Sequence, residues 1–390
     1  MKPTLFKYRP DTVLLCLTII LIGLGSVMLL SASFVKAEHE YRDPYFFFRT
    51  QMRNIGIGTL AIIILSQLDY RRWLKYYKLI GILAAILLFL LLVPGMAKSV
   101  KGSGRWLSFF PFQPSEAVKL AVVVILAQYF ANIGEKKNRF CYGFLIPCLL
   151  MIIYGGGIIV ERDLGGALVV LIIIVLMMLA SGVRLFHLSF FSLTSLPIAY
   201  LITSFEHRVD RVISWLDPWA DPLDKGYNII HSFYAFANGG ITGTGLGLGS
   251  EKMYFLPEGH TDYIFSILGE ELGLLGVIGT CILFFWLGAR GMSIASSSKT
   301  VGGRHLAVGM TLAIIVPALV NMFVALSIIP AKGLPLPFFS YGGSSMLVSC
   351  AAIGILMNIA AQGACEDDDG PILSTDGDNE QKSTNKELSE

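Results

Sequence analysis

Ten apolar runs long enough to cross a bilayer dominate this chain, at roughly 13–33, 52–68, 76–93, 115–133, 142–160, 164–182, 186–204, 263–288, 305–329 and 341–361. In hydrocarbon a backbone must satisfy its own hydrogen bonds, and runs of about 20 residues do so as helices. The expected fold is therefore an all-α polytopic membrane protein with about ten transmembrane helices and a large extracytoplasmic loop between helices 7 and 8. With 54% hydrophobic and 15% charged residues, one membrane domain accounts for residues 1–362. The first run follows Lys2, Lys7 and Arg9 and contains Ser31-Ala32-Ser33, similar to a signal-peptidase site. Its apolar stretch is longer than a leader core, which predicts a retained helix.

Ten crossings put both termini on one side. Arg71, Arg72, Lys75, Lys136, Lys137, Arg139, Arg184, Arg290, Lys299 and Arg304 fall in connectors on that side, so it is read as cytoplasmic. Lys98, Lys101 and Arg105 break the bias from an opposite-side loop, which gives them a candidate task. Residues 363–390 read as a disordered acidic cytoplasmic tail. A net charge of +2 without a basic, aromatic-interleaved stripe gives no nucleic-acid partner. The six cysteines lack CxxC spacing and read as thiols rather than a disulfide or zinc framework.

Three polar regions share the outer face: 94–116, 205–262 and 330–345. In the first, Arg105-Trp106 reads either as an interfacial anchor or as a functional cation. Pro114-Ser115 reads as a helix start, and Glu116 and Lys119, three residues apart, share a helical face as an ion pair. The glycine-rich run 239–249 lacks a GK[ST] ending and reads as a loop folding back on the bilayer more than as an anion nest. Gly342-Gly343-Ser344-Ser345 reads as close helix packing. In Leu256-Pro257-Glu258-Gly259-His260-Thr261-Asp262, Asp262 stands directly before an apolar helix. Two readings stay open for it: an N-cap, or a carboxylate kept at the membrane boundary for use.

The chain resembles the SEDS family (RodA/FtsW/SpoVE) up to about residue 362. The resemblance rests on Gly104-Arg105-Trp106, Gln113-Pro114-Ser115-Glu116 with Lys119, Asp163-Leu164-Gly165, Asp217-Pro218-Trp219-Ala220-Asp221-Pro222, Gly226-Tyr227, Leu256-Pro257-Glu258 with His260-Thr261-Asp262, Gly269-Glu270-Glu271-Leu272-Gly273, and Leu336-Pro337-Phe338 with Ser340-Tyr341-Gly342-Gly343-Ser344-Ser345. Val93-Pro94-Gly95 and Pro330-Ala331-Lys332-Gly333-Leu334 are similar to the division-type branch, FtsW, more than to the elongation-type RodA polymerase. Glu251, Gly166 and Lys101 depart from that branch's pattern.

The resemblance implies a peptidoglycan glycosyltransferase that polymerises lipid II into β-1,4-linked strands at the outer face of the bacterial cytoplasmic membrane, at the division septum. Donor and acceptor are both lipid II, and the leaving group is undecaprenyl diphosphate. It implies Asp262 as catalytic base, with Arg105, Glu116, Lys119, Glu258 and His260 binding substrate. No metal-ligand spacing accompanies these residues, and a divalent cation, Mg or Mn, is compatible with the diphosphate chemistry. The implied partners are a class B penicillin-binding protein transpeptidase, other divisome proteins and membrane lipids. A lipid II flippase using Glu116, Lys119, Glu161, Arg162 and Asp163 and an inactive scaffold are the alternatives. Against the flippase, the charges gather at helix ends rather than along a midplane path.

Overall fold

In the computed structural model the described residues are 11–93, 95–100, 103–107, 112–161, 163–189, 212–253, 255–330 and 333–368. The chain runs α1 (Thr12–Tyr41), α2 (Phe46–Gln67), the short α3 (Tyr70–Lys75), α4 (Tyr77–Leu92), a hairpin of β1 (Ala97–Val100) and β2 (Ser103–Leu107), and α5 (Pro114–Ile133). It continues through α6 (Cys141–Val160), α7 (Leu164–Ala180), α8 (Tyr227–Gly239), α9 (Ile264–Ser297), α10 (Val301–Ala325) and α11 (Gly343–Asp368). Among the described residues six helices (α1, α5, α6, α9, α10 and α11) are long and apolar enough to cross a membrane, and α4 and α7 are shorter apolar helices. The all-α polytopic expectation holds. Nine of the ten expected runs coincide with helices; most of the seventh, 186–204, lies outside the described residues, as do Lys101, Arg162, Lys332 and the tail from 369.

Burial sorts the helices into a centre and a rim. The apolar windows of α10 and α11 are 78% buried, whereas that of α9 is 22% buried and shows Leu275, Ile282 and Phe285 outward. Val118, Val122, Val123 and Leu126 of α5 join Leu306, Met310 and Ile314 of α10 in the core. Lipid tails are as apolar as these side chains, so close packing and buried polar bonds, rather than water exclusion, distinguish the centre. One such bond pair comes from Asn358, whose Nδ2 donates to the Ser66 carbonyl and whose Oδ1 accepts from the Tyr70 amide, both at 2.8 Å.

The first nine residues of α9 behave differently from the rest. Ile264 to Glu271 are all buried, and the helix breaks at Gly273, where φ is 65° and ψ is −164°. The segment after α8 fills the break. Thr244 and Gly245 donate their amides to the Glu270 and Glu271 carbonyls at 3.0 and 3.1 Å, while Leu274 and Leu275 donate to the Gly240 and Ile241 carbonyls at 2.9 and 3.2 Å. Side chains lock the same joint. A Glu270 carboxylate oxygen accepts from the Ser250 amide at 2.7 Å, and buried Glu271 pairs with Lys252 at 2.6 Å. The glycine-rich run therefore folds onto protein, and the amides of Gly243, Thr244, Gly245 and Leu248 are committed to carbonyls, which removes the anion-nest reading.

That conformation at Gly273 is confined to glycine. A Cβ there would also stand 2.3 Å from the Gly243 nitrogen. Gly273→Ala is expected to destabilise the protein by more than about 1 kcal/mol and to free the 239–252 segment. Thermal unfolding in detergent and protease cutting within that segment check both effects.

Candidate active site

The turn that carries Asp262 is built on Glu258, a non-glycine residue at φ 62°. Its carbonyl accepts from the amides of Thr261 (3.0 Å), Asp262 (3.1 Å) and Tyr263 (3.3 Å), and the Thr261 hydroxyl donates to the Glu258 carboxylate at 2.9 Å. Helix α9 starts at Ile264, with Tyr263 in the capping position and no side chain capping it. Asp262 does not cap the helix, which removes the simpler of its two readings.

The segment 333–345 holds this turn from the other side. The Asn321 amide of α10 donates to the Asp262 carbonyl at 2.8 Å and to the Leu334 carbonyl at 2.7 Å. Ser340 donates its hydroxyl to the Thr261 carbonyl and accepts from the Leu336 amide at 2.8 Å; the Tyr341 amide donates to the His260 carbonyl at 3.1 Å. The Asp262 carboxylate lies against Gly333, where a Cβ would sit 3.1 Å from Oδ2. Phe338 adopts φ 69°, and α1 reaches its carbonyl so closely that a Cβ on Gly25 would come within 2.3 Å. Two positive-φ residues, Glu258 in the turn and Phe338 in the segment that holds it, are backbone strain of the kind that collects at functional sites.

Glu258 and His260 face different neighbours. Lys36, on the extension of α1 beyond its apolar run, brings its ammonium to 3.9 Å from the Glu258 carboxylate. His260 is buried among aromatics, its ring centroid 5.0 Å from that of Phe47. It packs as a wall.

A second polar cluster surrounds Asp163, the N-cap of α7. Its Oδ1 accepts from the Gly166 backbone amide at 3.0 Å, and its Oδ2 from Nε2 of the Gln113 side chain at 3.1 Å and the Ser115 hydroxyl at 3.3 Å. Arg105 of β2 places a guanidinium nitrogen 3.8 Å from Oδ1. Helix α5 begins at Pro114 as expected, with Glu116 in its first turn. Glu116 and Lys119 form a buried ion pair at 2.7 Å, with side-chain exposures of 6% and 5%. Close opposite charges make each other tolerable at such burial.

Glu161 stands beside this cluster without a hydrogen bond to either carboxylate oxygen. Burial pushes its pKa up to about 8, with the Asp163 charge adding to the shift and Arg105 opposing it.

The 333–345 segment joins the two clusters. The Gln113 backbone amide donates to the Ser344 hydroxyl at 2.9 Å, and Gly165, at the start of α7, lies against the side chain of Leu334, a residue whose carbonyl shares Asn321 with the Asp262 carbonyl. Asp163, Asn321, Lys36 and the hairpin were outside the predicted site set. Asp163 was legible as part of Asp-Leu-Gly, since an aspartate before an apolar run signals a cap. Asn321 and Lys36 carry no local signal. Among the described residues, no three His, Cys, Asp or Glu side chains form a metal-ligating group, so no reaction step is derived through a metal.

The architecture and this acidic and cationic end define a polytopic membrane protein with a buried polar centre at one end of its bundle. The chain belongs to the FtsW/RodA/SpoVE family, described as "Cell cycle protein", which matches residues 11–364. It is 39% identical over 357 residues to a probable peptidoglycan glycosyltransferase FtsW of Geobacter metallireducens, covering 91% of this chain and 95% of that one. It is 37% identical over 358 residues to the stage V sporulation protein E of Bacillus subtilis, covering 91% and 98%. Among solved structures, it resembles a chain of a peptidoglycan synthase complex that coordinates polymerization and crosslinking, at TM-score 0.75, 29% identity and coverage of 91% and 98%. It also resembles the Thermus thermophilus rod shape determining protein RodA, at TM-score 0.68, 26% identity and coverage of 92% and 98%.

Proposed function

We infer that this protein is a peptidoglycan glycosyltransferase of the division type, polymerising lipid II at the outer face of the cytoplasmic membrane. The observation that carries the reading is Asp262. Its carboxylate is released from capping and set on a braced turn that the 333–345 segment ties to the polar cluster holding Arg105 and Lys119.

A sugar 4-hydroxyl is a poor nucleophile at neutral pH unless a base takes its proton during attack. Asp262 is that base. One carboxylate and direct attack by an acceptor make a single displacement, with inversion at the anomeric carbon and a β-1,4 linkage. As the bond to the diphosphate breaks, negative charge grows on the leaving group, and cations in a low-dielectric site stabilise it. Arg105 and Lys119 serve there, with Glu116 holding Lys119 in place. Glu258, fixed by Thr261 and Lys36, and His260 line the acceptor side. The division septum, cytoplasmic termini, a class B penicillin-binding protein and other divisome proteins as partners, and a separate acidic tail complete the proposal.

Reconstituted protein given labelled lipid II, alone and with a co-purified transpeptidase, tests the reading. Glycan polymer is expected. Transfer of lipid II between membrane faces without polymer would identify a flippase, and neither activity in either preparation would leave a scaffold.

Arg105→Ala is expected to slow polymerisation by about 2–4 kcal/mol in the barrier, the scale of losing one preorganised group at a developing charge. Asp163 loses an ion-pair partner and keeps its three hydrogen bonds, so the fold should hold. A parental rate in a steady-state polymerisation assay would remove Arg105 from the leaving-group pocket.

A further inference from the structure

Glu161 is the buried acid that the mechanism above does not use. It is 5% exposed, and both its carboxyl oxygens are shut off from solvent with no hydrogen-bond partner. Asp163, two residues on, shows the contrast: four donors approach its carboxylate. A buried polar group left unpaired is costly and calls for an explanation. Asp163 is a finished structural joint, whereas Glu161 is an unfinished one.

The place it occupies holds positive as well as negative groups, and of the two charges acting on Glu161 that of Asp163 outweighs that of Arg105. Helices α5 and α7 both begin here, so their N-terminal dipoles add positive potential to Arg105. The charged groups acting on Glu161 are Asp163 at the head of α7 and Arg105 on β2, while Glu116 and Lys119 on α5 neutralise each other. An ionised carboxylate would repel a diphosphate from this pocket; a carboxylic acid presents one O–H donor to it.

We propose that the Glu161 carboxyl group is a hydrogen-bond donor to the diphosphate of the lipid-linked sugar donor and of the released polyprenyl diphosphate. This rests on the leaving-group pocket assigned above and adds a residue to it. The ligand supplies the partner that both oxygens lack. Glu161 keeps its proton throughout, and no bond to it forms or breaks; the acceptor hydroxyl proton goes to Asp262 and the electron pair of the broken bond to the diphosphate. The raised pKa means the donor is present at neutral pH and lost as pH rises through about 8.

Stability should fall with rising pH as well, starting from a lower pH than the loss of the donor. Between the ordinary carboxylate range and about 8 the folded protein holds a proton that the unfolded chain has released, so Glu161 increasingly destabilises the fold as pH rises through that window. Glu161→Gln and Glu161→Met remove that cost and are expected to melt above the parent at alkaline pH. A purely structural role for Glu161 predicts lower melting for Glu161→Met.

The test is binding of undecaprenyl diphosphate to nanodisc-held protein at pH about 6 and about 9.5, which does not depend on polymerisation. The parent is expected to bind about tenfold more weakly at the higher pH, the scale of one hydrogen bond to a charged group. Glu161→Gln, which keeps an N–H donor, should escape most of that decline, and Glu161→Met should bind weakly at both values. Parental binding by Glu161→Met, or a parental decline in Glu161→Gln, overturns the proposal. Absence of polymer from parental protein and lipid II would instead overturn the polymerase reading, and the two failures are read in separate experiments.

Discussion

Asp262→Asn is expected to abolish glycan polymerisation in a protein that inserts, folds and melts like the parent. Asparagine preserves the shape of the side chain and leaves the backbone carbonyl that Asn321 holds at 2.8 Å. Nothing in the cap of α9 changes, because Asp262 does not form it. The proton acceptor is lost, and loss of a general base typically costs about 10²–10⁴-fold in rate. Turnover of labelled lipid II, with thermal unfolding on the same sample, separates chemistry from folding. Near-parental turnover by the folded variant would move the base elsewhere, with Glu258, whose carbonyl anchors the same turn, as the next candidate.

The second large effect is on stability. Lys119→Met leaves Glu116 buried at 6% side-chain exposure without its ammonium partner. Breaking one side of a buried pair costs about 3–5 kcal/mol, whereas replacing both partners by apolar groups is often neutral. Glu116→Leu combined with Lys119→Met should therefore restore the melting temperature that Lys119→Met loses. Polymerisation should not return, because the cation that meets the leaving group is still missing. Recovery of both stability and turnover in the double variant would assign the pair a purely structural role.

Helices were legible because a bilayer imposes length and apolarity on them, and α5 also announced its start through Pro114. The β1–β2 hairpin was not. Its two short strands sit in a polar loop, and nothing near Arg105 encodes the Asp163 that receives it 58 residues later. The same limit applies to Asn321, an isolated amide in an apolar run whose importance lies in two carbonyls brought together from separate segments. The glycine-rich run was read against the membrane because its partner, the break at Gly273, depends on a backbone geometry that sequence alone leaves open. Asp262 was ambiguous for a local reason: a cap and a base are the same residue type at the same place, and only the position of the first helical turn distinguishes them.

The broken α9 separates insertion from assembly of the catalytic end. Residues 274–297 would cover about 36 Å at 1.5 Å per residue, enough for the hydrocarbon core without help from the turns above. The preceding stretch, Ile264 to Glu271, is enclosed by protein, and its last two carbonyls are completed by a segment of chain synthesised 26 residues earlier. A ribosome-bound chain can thus commit its lower half to the bilayer on hydropathy alone. The half that carries Asp262 then settles as a separate, later event, when the glycine-rich segment docks. Slow docking would populate an inserted but inactive protein, one that membrane extraction would count as correctly placed.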